Sequence, residues 1–124
     1  MHKFTPEEFE DLVREFNEKE EELMSWKAKE YSTEVDRLQN FREVAFLEGR
    51  KMSQVSFSYL LKHMQSIALV VNNDRVKWYW ENEGKEGTKQ RIADARNYLI
   101  LLAACLEEEE EGQSLYRIEG VEGG

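Results

Sequence analysis

Hydrophobic residues recur three and four positions apart along four stretches of the chain, which is the spacing of one face of an α-helix. The stretches are separated by short polar segments that contain glycine, serine or threonine. The pattern predicts four helices, over about residues 6–29, 34–48, 54–71 and 88–110. Four helices of this length joined by short connections indicate an all-α fold, a four-helix bundle.

The predicted helix ends carry local signals. Thr5 can cap the first helix, Pro6 suits its first turn, and Glu8 completes a capping box. Gly49 is a plausible stop for the second helix, and Ser53 is a candidate cap for the third. These signals favour the predicted boundaries independently of the hydrophobic pattern.

Two segments do not follow the helical spacing. Residues 75–87 alternate apolar and polar side chains as a strand does, but they also fit a helical turn, and we predict a short irregular segment that ends where Thr88 can cap the last helix. The acids of 107–111 stand at a helix C-terminus, where the helix dipole disfavours them. We therefore expect one helical domain over 1–112, followed by a loose acidic tail over 113–124.

Composition narrows the class of protein. The chain has 124 residues and one cysteine, Cys105, which excludes an internal disulfide and a zinc site built from paired cysteines. The first residues do not have a basic start followed by an apolar run, and no stretch approaches the roughly 20 apolar residues that cross a bilayer. We expect a cytoplasmic protein with no membrane partner.

The net charge of −9 is unevenly distributed. Residues 1–34 and 107–124 are acidic, whereas 35–106 hold 8 acids and 11 bases. A negative overall field opposes direct nucleic-acid binding. It still permits a small anionic ligand, such as a nucleotide, in a basic pocket of the middle segment.

Polar residues interrupt the apolar faces of three predicted helices. They are Asp36, Arg37 and Asn40 on the second, Lys62 and His63 on the third, and Asp94, Asn97 and Tyr98 on the fourth. If these faces converge on one cleft, two carboxylates, Asp36 and Asp94, would hold Mg²⁺, and Arg37 and Lys62 would bind phosphates. Tyr31, Tyr98 or a tryptophan would stack on a base. The alternative is a structural network, with Lys62 reaching solvent.

Three segments, KAKEYSTEVDRLQNF (27–41), LLKH (60–63) and RIADARNYLILLAACL (91–106), resemble small phage and prophage proteins related to the MazG-like nucleotide pyrophosphohydrolases. The matching positions are Lys27, Tyr31, Asp36, Arg37, Asn40, Phe41, Lys62, His63, Asp94, Asn97 and Tyr98. The resemblance implies a homodimeric helix bundle with a nucleotide site, acting as a Mg²⁺-dependent nucleoside triphosphate pyrophosphohydrolase or as a non-catalytic relative. Arg91 stands where the enzymes have a Glu, so we rank binding above turnover.

The acidic face of the first helix supports an alternative function. Glu18, Glu21 and Glu22 would imitate the charge of DNA in a phage-encoded inhibitor of a host defence nuclease, of the anti-CRISPR or anti-restriction type. Trp78 and Trp80 would add partner contacts, because tryptophan is enriched at interaction hot spots. Such a protein would act in the host cytoplasm.

Overall fold

The protein is mostly helical in a computed structural model that describes residues 2–30, 36–73 and 76–116, with side chains of 2–22, 36–73 and 76–112. The elements are α1 (Pro6–Glu30), α2 (Gln39–Glu48), α3 (Met52–Asn72), β1 (Glu81–Asn82), β2 (Lys85–Glu86) and α4 (Thr88–Tyr116). The predicted all-α class is confirmed for the described residues. Among them, no helix has the length and apolar character that crossing a bilayer requires.

The chain divides into two compact units, Met1–Asp36 and Arg37–Gly124. The first unit contains α1, which begins with the predicted capping box. The backbone N–H of Thr5 donates to Glu8 Oε1 at 3.0 Å, and the N–H of Glu8 donates to Thr5 Oγ1 at 3.1 Å. The bond from the Thr5 backbone is the main reason that the pKa of Glu8 is lowered, and His2 and the Thr5 hydroxyl lower this pKa further.

The second unit is built on α3 and α4, which pack along each other, with α2 packed against α3. Its buried core consists of Leu38, Phe41, Ala45, Val55 and Cys105. Cys105 is fully buried as a free thiol, and burial raises the pKa of that thiol. Half-buried side chains from all three helices surround this core.

The start of α3 differs from the prediction. The helix is capped at Lys51, whose N–H donates to Gln54 Oε1 at 2.9 Å. Ser53 lies inside the helix, so its predicted capping role was wrong. The Ser53 N–H donates instead to Glu109 Oε1 of α4 at 3.1 Å. The predicted stop of α2 is confirmed, because Gly49 has the left-handed φ of 65° that ends a helix.

The other boundary differences concern α2 and α4. Helix α2 begins at Gln39 rather than near residue 34, after a turn at 37–38, and residues 31–35 lie outside the described part of the chain. Helix α4 continues to Tyr116, past the predicted end near residue 110. Within the acidic run of α4, the Arg42 guanidinium of α2 binds the Glu108 carboxylate through two N···O contacts of 2.7 and 2.8 Å. The acidic run that the helix dipole disfavours thus has a cationic partner on α2.

Part of the segment predicted to be irregular forms a small hairpin. Strands β1 and β2 pair antiparallel, with Asn82 opposite Lys85. The two residues between them, Glu83 and Gly84, have φ values of 52° and 78°, as a type I′ turn requires. At Gly87 an added Cβ would overlap the carbonyl oxygen of Tyr79, so only glycine fits where the hairpin joins α4.

Candidate functional site

An aromatic seam joins the three helices of the second unit. We use this name for Phe41 of α2, Tyr59 and His63 of α3, and Tyr98 of α4. The Phe41 ring lies 5.6 Å from that of Tyr59 and 6.3 Å from that of Tyr98, measured between centroids. The imidazole of His63 stacks on Tyr98 at 4.5 Å. Rings at these distances fill the space between the helices.

Four of the residues predicted as ligand or metal contacts meet at this seam. They are Lys62, His63, Asp94 and Tyr98. Lys62 is exposed, with its Nζ 5.5 Å from the Tyr59 ring centroid, a cation–π contact. Asp94 is half-buried and accepts a hydrogen bond from Gln90 Nε2 at 3.0 Å. Burial, and then the charge of Asp94, raises the pKa of Tyr98.

The other predicted site residues of the second unit do not belong to the seam. Arg37 and Asn40 are exposed near the start of α2, and Asn97 is half-buried on α4. Within the described residues, no hydrogen bond or ion pair connects Arg37 or Asn40 to Asp94.

Three predicted residues belong to the first unit or to the undescribed part of the chain. Asp36 is exposed at the end of that unit. The side chain of Lys27 and the whole of Tyr31 lie outside the described residues. The described residues contain no group of three or more His, Cys, Asp or Glu side chains that could hold a metal ion. The Mg²⁺ site at Asp36 and Asp94 stays a prediction.

A groove of about 980 Å³ lies in the second unit, where α3 ends and α4 begins. The last turns of α3 supply two apolar side chains, Leu69 and Val70, and one amide, Asn73. Leu69 is 65% exposed there. Ligand pockets in proteins usually have volumes of roughly 300–1,000 Å³.

The rest of the groove's lining is mostly cationic. It contains Lys77, Lys85 and Arg91, together with Thr88 and one carboxylate, Glu86. Within the described part of the chain, no carboxylate lies within ion-pair distance of the three cations. We call this region the cationic groove. Its positive side chains stand in a protein with a net charge of −9, so it is a local reversal of the overall field.

Backbone contacts fix the cationic wall. The N–H of Thr88 donates to the Lys77 carbonyl at 2.8 Å, which ties the residue before Trp78 to the first turn of α4. The Arg91 guanidinium donates through Nη1 to Ser66 Oγ at 2.8 Å, across from α4 to α3. Because Arg91 is held in this way, it presents its remaining donors in a set direction.

The sequence prediction missed the two lysines of the groove and described their segment as a short irregular one. A signal was present, because residues 75–91 hold five bases and three acids within an acidic chain. Alternating apolar and polar residues, as in 76–80, are also typical of a strand. Neither signal indicates that the end of α3 lies beside the hairpin.

Most of the residues predicted for the alternative inhibitor function are exposed. Glu18, Glu21 and Glu22 are exposed on α1. Trp78 is about half exposed, with Lys89 Nζ 5.3 Å from its ring centroid, and Trp80 is half-buried. The inhibitor function stays a prediction.

Comparison of the chain with protein-family models, with curated proteins and with solved structures gives no match. The geometry of the seam and of the groove is therefore the basis for a functional proposal.

Proposed function

We propose that the protein binds a small phosphate-bearing ligand of the nucleotide class in the cationic groove. The observation that carries the proposal is that Lys77, Lys85 and Arg91 line one groove, with a single carboxylate, Glu86, among its lining residues. Charge-assisted bonds from lysine and arginine are the usual way to hold phosphate oxygens. The nucleotide class is the one that the sequence predicts, and the proposal moves its site from the seam to the groove.

The opposite wall supports a nucleotide over an inorganic anion. Leu69 and Val70 offer an apolar surface that a base or a sugar would cover. The Asn73 side chain donates through Nδ2 to the Leu69 carbonyl, and its Oδ1 can accept a hydrogen bond from a base. The volume of about 980 Å³ accommodates a ligand of this size. A nucleotide would thus contact both walls, whereas pyrophosphate would contact the cations alone.

Isothermal titration calorimetry of the full chain with dATP, ADP, adenosine and pyrophosphate tests the proposal. We expect ADP and dATP to bind most tightly, pyrophosphate more weakly, and adenosine least. Lys85→Gln and Lys77→Gln should each weaken nucleotide binding by about tenfold, which corresponds to about 1.4 kcal/mol. The matched control is Lys62→Gln, an exposed lysine of α3 at the seam, which should leave the affinity unchanged.

Two outcomes contradict the proposal. One is the absence of binding by any of the phosphate ligands. The other is a loss of affinity in Lys62→Gln that equals the loss in Lys85→Gln, because binding would then involve the seam. Repeating the titrations with Mg²⁺ and assaying for released pyrophosphate tests the pyrophosphohydrolase activity that the sequence resemblance implies.

A further inference from the structure

The cations of the cationic groove carry charge that the surrounding side chains do not neutralise. Within the described part of the chain, Lys77 and Lys85 have no carboxylate within ion-pair distance. The hydrogen bonds of the Arg91 guanidinium there are to neutral atoms, the hydroxyl and the carbonyl oxygen of Ser66, at 2.8 and 3.4 Å. Glu86 is the single carboxylate among the lining residues, so the lining carries three positive charges and one negative charge.

This surplus of positive charge distinguishes between two forms of a nucleotide. Metal-free ADP carries about three negative charges near neutral pH, which is about one for each cation of the groove. Mg²⁺ binds to the phosphate oxygens and neutralises two of these charges, so the complex of Mg²⁺ with ADP keeps about one. The Coulomb attraction between the groove and the ligand is therefore stronger for the metal-free form.

The lining of the groove does not fit a magnesium ion that would enter with the nucleotide. Proteins usually bind Mg²⁺ through one or two carboxylates together with phosphate oxygens. Glu86 is the one carboxylate of the lining, it directly follows Lys85 in the chain, and the three cations of the groove would repel a divalent ion placed beside it. The two carboxylates that the sequence predicts for Mg²⁺, Asp36 and Asp94, are not among the lining residues.

We propose that the cationic groove binds nucleotides in their metal-free form, so that Mg²⁺ opposes binding by withdrawing the free ligand. The inference rests on the proposed function and adds to it the charge state of the ligand. The metal-dependent hydrolysis that the sequence resemblance implies would then need a different site of the protein.

Isothermal titration calorimetry of the full chain with ADP, in EDTA and in MgCl₂, tests the inference. The two buffers have the same ionic strength, because salt screens the charges of an exposed groove. At a Mg²⁺ concentration about ten times the dissociation constant of its complex with ADP, about one tenth of the ADP is metal-free, so the apparent affinity should fall by about tenfold. Equal or tighter binding in MgCl₂ would overturn the inference and leave the proposed function standing. The absence of ADP binding in EDTA would overturn both.

Two glutamates of the hairpin provide a variant and its control. Glu86→Gln removes the one negative charge of the lining, so we expect ADP to bind more tightly in both buffers, with the effect of Mg²⁺ still about tenfold. Glu83→Gln is the matched control, because Glu83 lies in the turn of the same hairpin and does not line the groove, and it should leave both affinities unchanged. If Glu86 instead held a metal ion together with the nucleotide, Glu86→Gln would weaken binding in MgCl₂ alone, and this result would overturn the inference.

Discussion

The aromatic seam and the cationic groove lie in the same unit and both include residues of α3 and α4, yet they differ in what lies beside these helices. At the seam, the rings of Phe41, Tyr59 and Tyr98 fill the space between the helices. At the groove, the chain leaves α3 through the hairpin, and lysines line an open volume. The comparison shows that polar residues on helix faces need not mark a cleft, because aromatic neighbours can close it. A connection between helices can provide the cleft instead.

The largest effect that separates the two regions is expected from the loss of a seam ring. Phe41→Ala removes a side chain that is 5% exposed, so we expect the free energy of unfolding to fall by about 3–5 kcal/mol. The control is Phe46→Ala, on the same helix, where the ring is 87% exposed and the change should stay within about 0.5 kcal/mol. Urea denaturation measures both. Equal losses in the two variants would show that Phe41 is not part of a packed core.

A smaller effect is expected where the hairpin joins α4. In Gly87→Ala the new Cβ meets the Tyr79 carbonyl, so the hairpin must shift, and we expect a loss of about 1–3 kcal/mol in stability together with weaker nucleotide binding. The control is Gly112→Ala, inside α4, where nothing lies within 4 Å of the added Cβ. That variant should gain about 0.5–1 kcal/mol from helix propensity and keep its ligand affinity. Nucleotide binding that survives Gly87→Ala unchanged would separate the binding site from the hairpin.

The smallest effect is a pH dependence that belongs to the seam alone. The pKa of Tyr98 is raised in the folded protein, first by burial and then by Asp94, so the folded state favours the neutral phenol. This stabilisation is complete below the ordinary tyrosine pKa of 10.0 and is lost as the pH rises from there through the raised value.

Asp94→Asn should lower the pKa of Tyr98 and reduce that alkaline loss. Urea denaturation below and above pH 10.0, combined with an NMR titration of the Tyr98 ring, would measure the change. Tyr98→Phe is the control, because it lacks the ionisable group. An unchanged Tyr98 pKa in Asp94→Asn would contradict the electrostatic link between the two side chains.

The sequence predicted best those features that depend on residues close together along the chain. The box of Thr5 and Glu8 and the left-handed stop at Gly49 each involve residues within one helical turn, so the pattern alone identified them. Ser53 satisfies the local rule for a cap, but its N–H binds Glu109 of another helix. A contact across 56 positions is invisible to a local pattern.

The candidate site shows the same difference between features set by nearby residues and features set by distant ones. The one-turn spacing of Asp94 and Tyr98 was readable, because a helix sets both on one side. Aromatic rings fill the space beside these two side chains, and this depends on how α2 and α3 pack. The groove needs Leu69 and Lys85 to meet across a hairpin whose closure rests on two positive φ values, at Glu83 and Gly84. Spacing along the chain does not predict such a meeting.

Cys105 is completely buried, so its reaction with a thiol reagent can measure motions that open the helix packing. A thiol reagent can reach this side chain only when the helices packed around it move apart, because Cys105 is 0% exposed in the core. The rate at which Cys105 is modified in the native protein therefore measures how often the packed helices open. A ligand or a second chain that steadies these helices would slow that rate, and no label would have to be introduced to observe it.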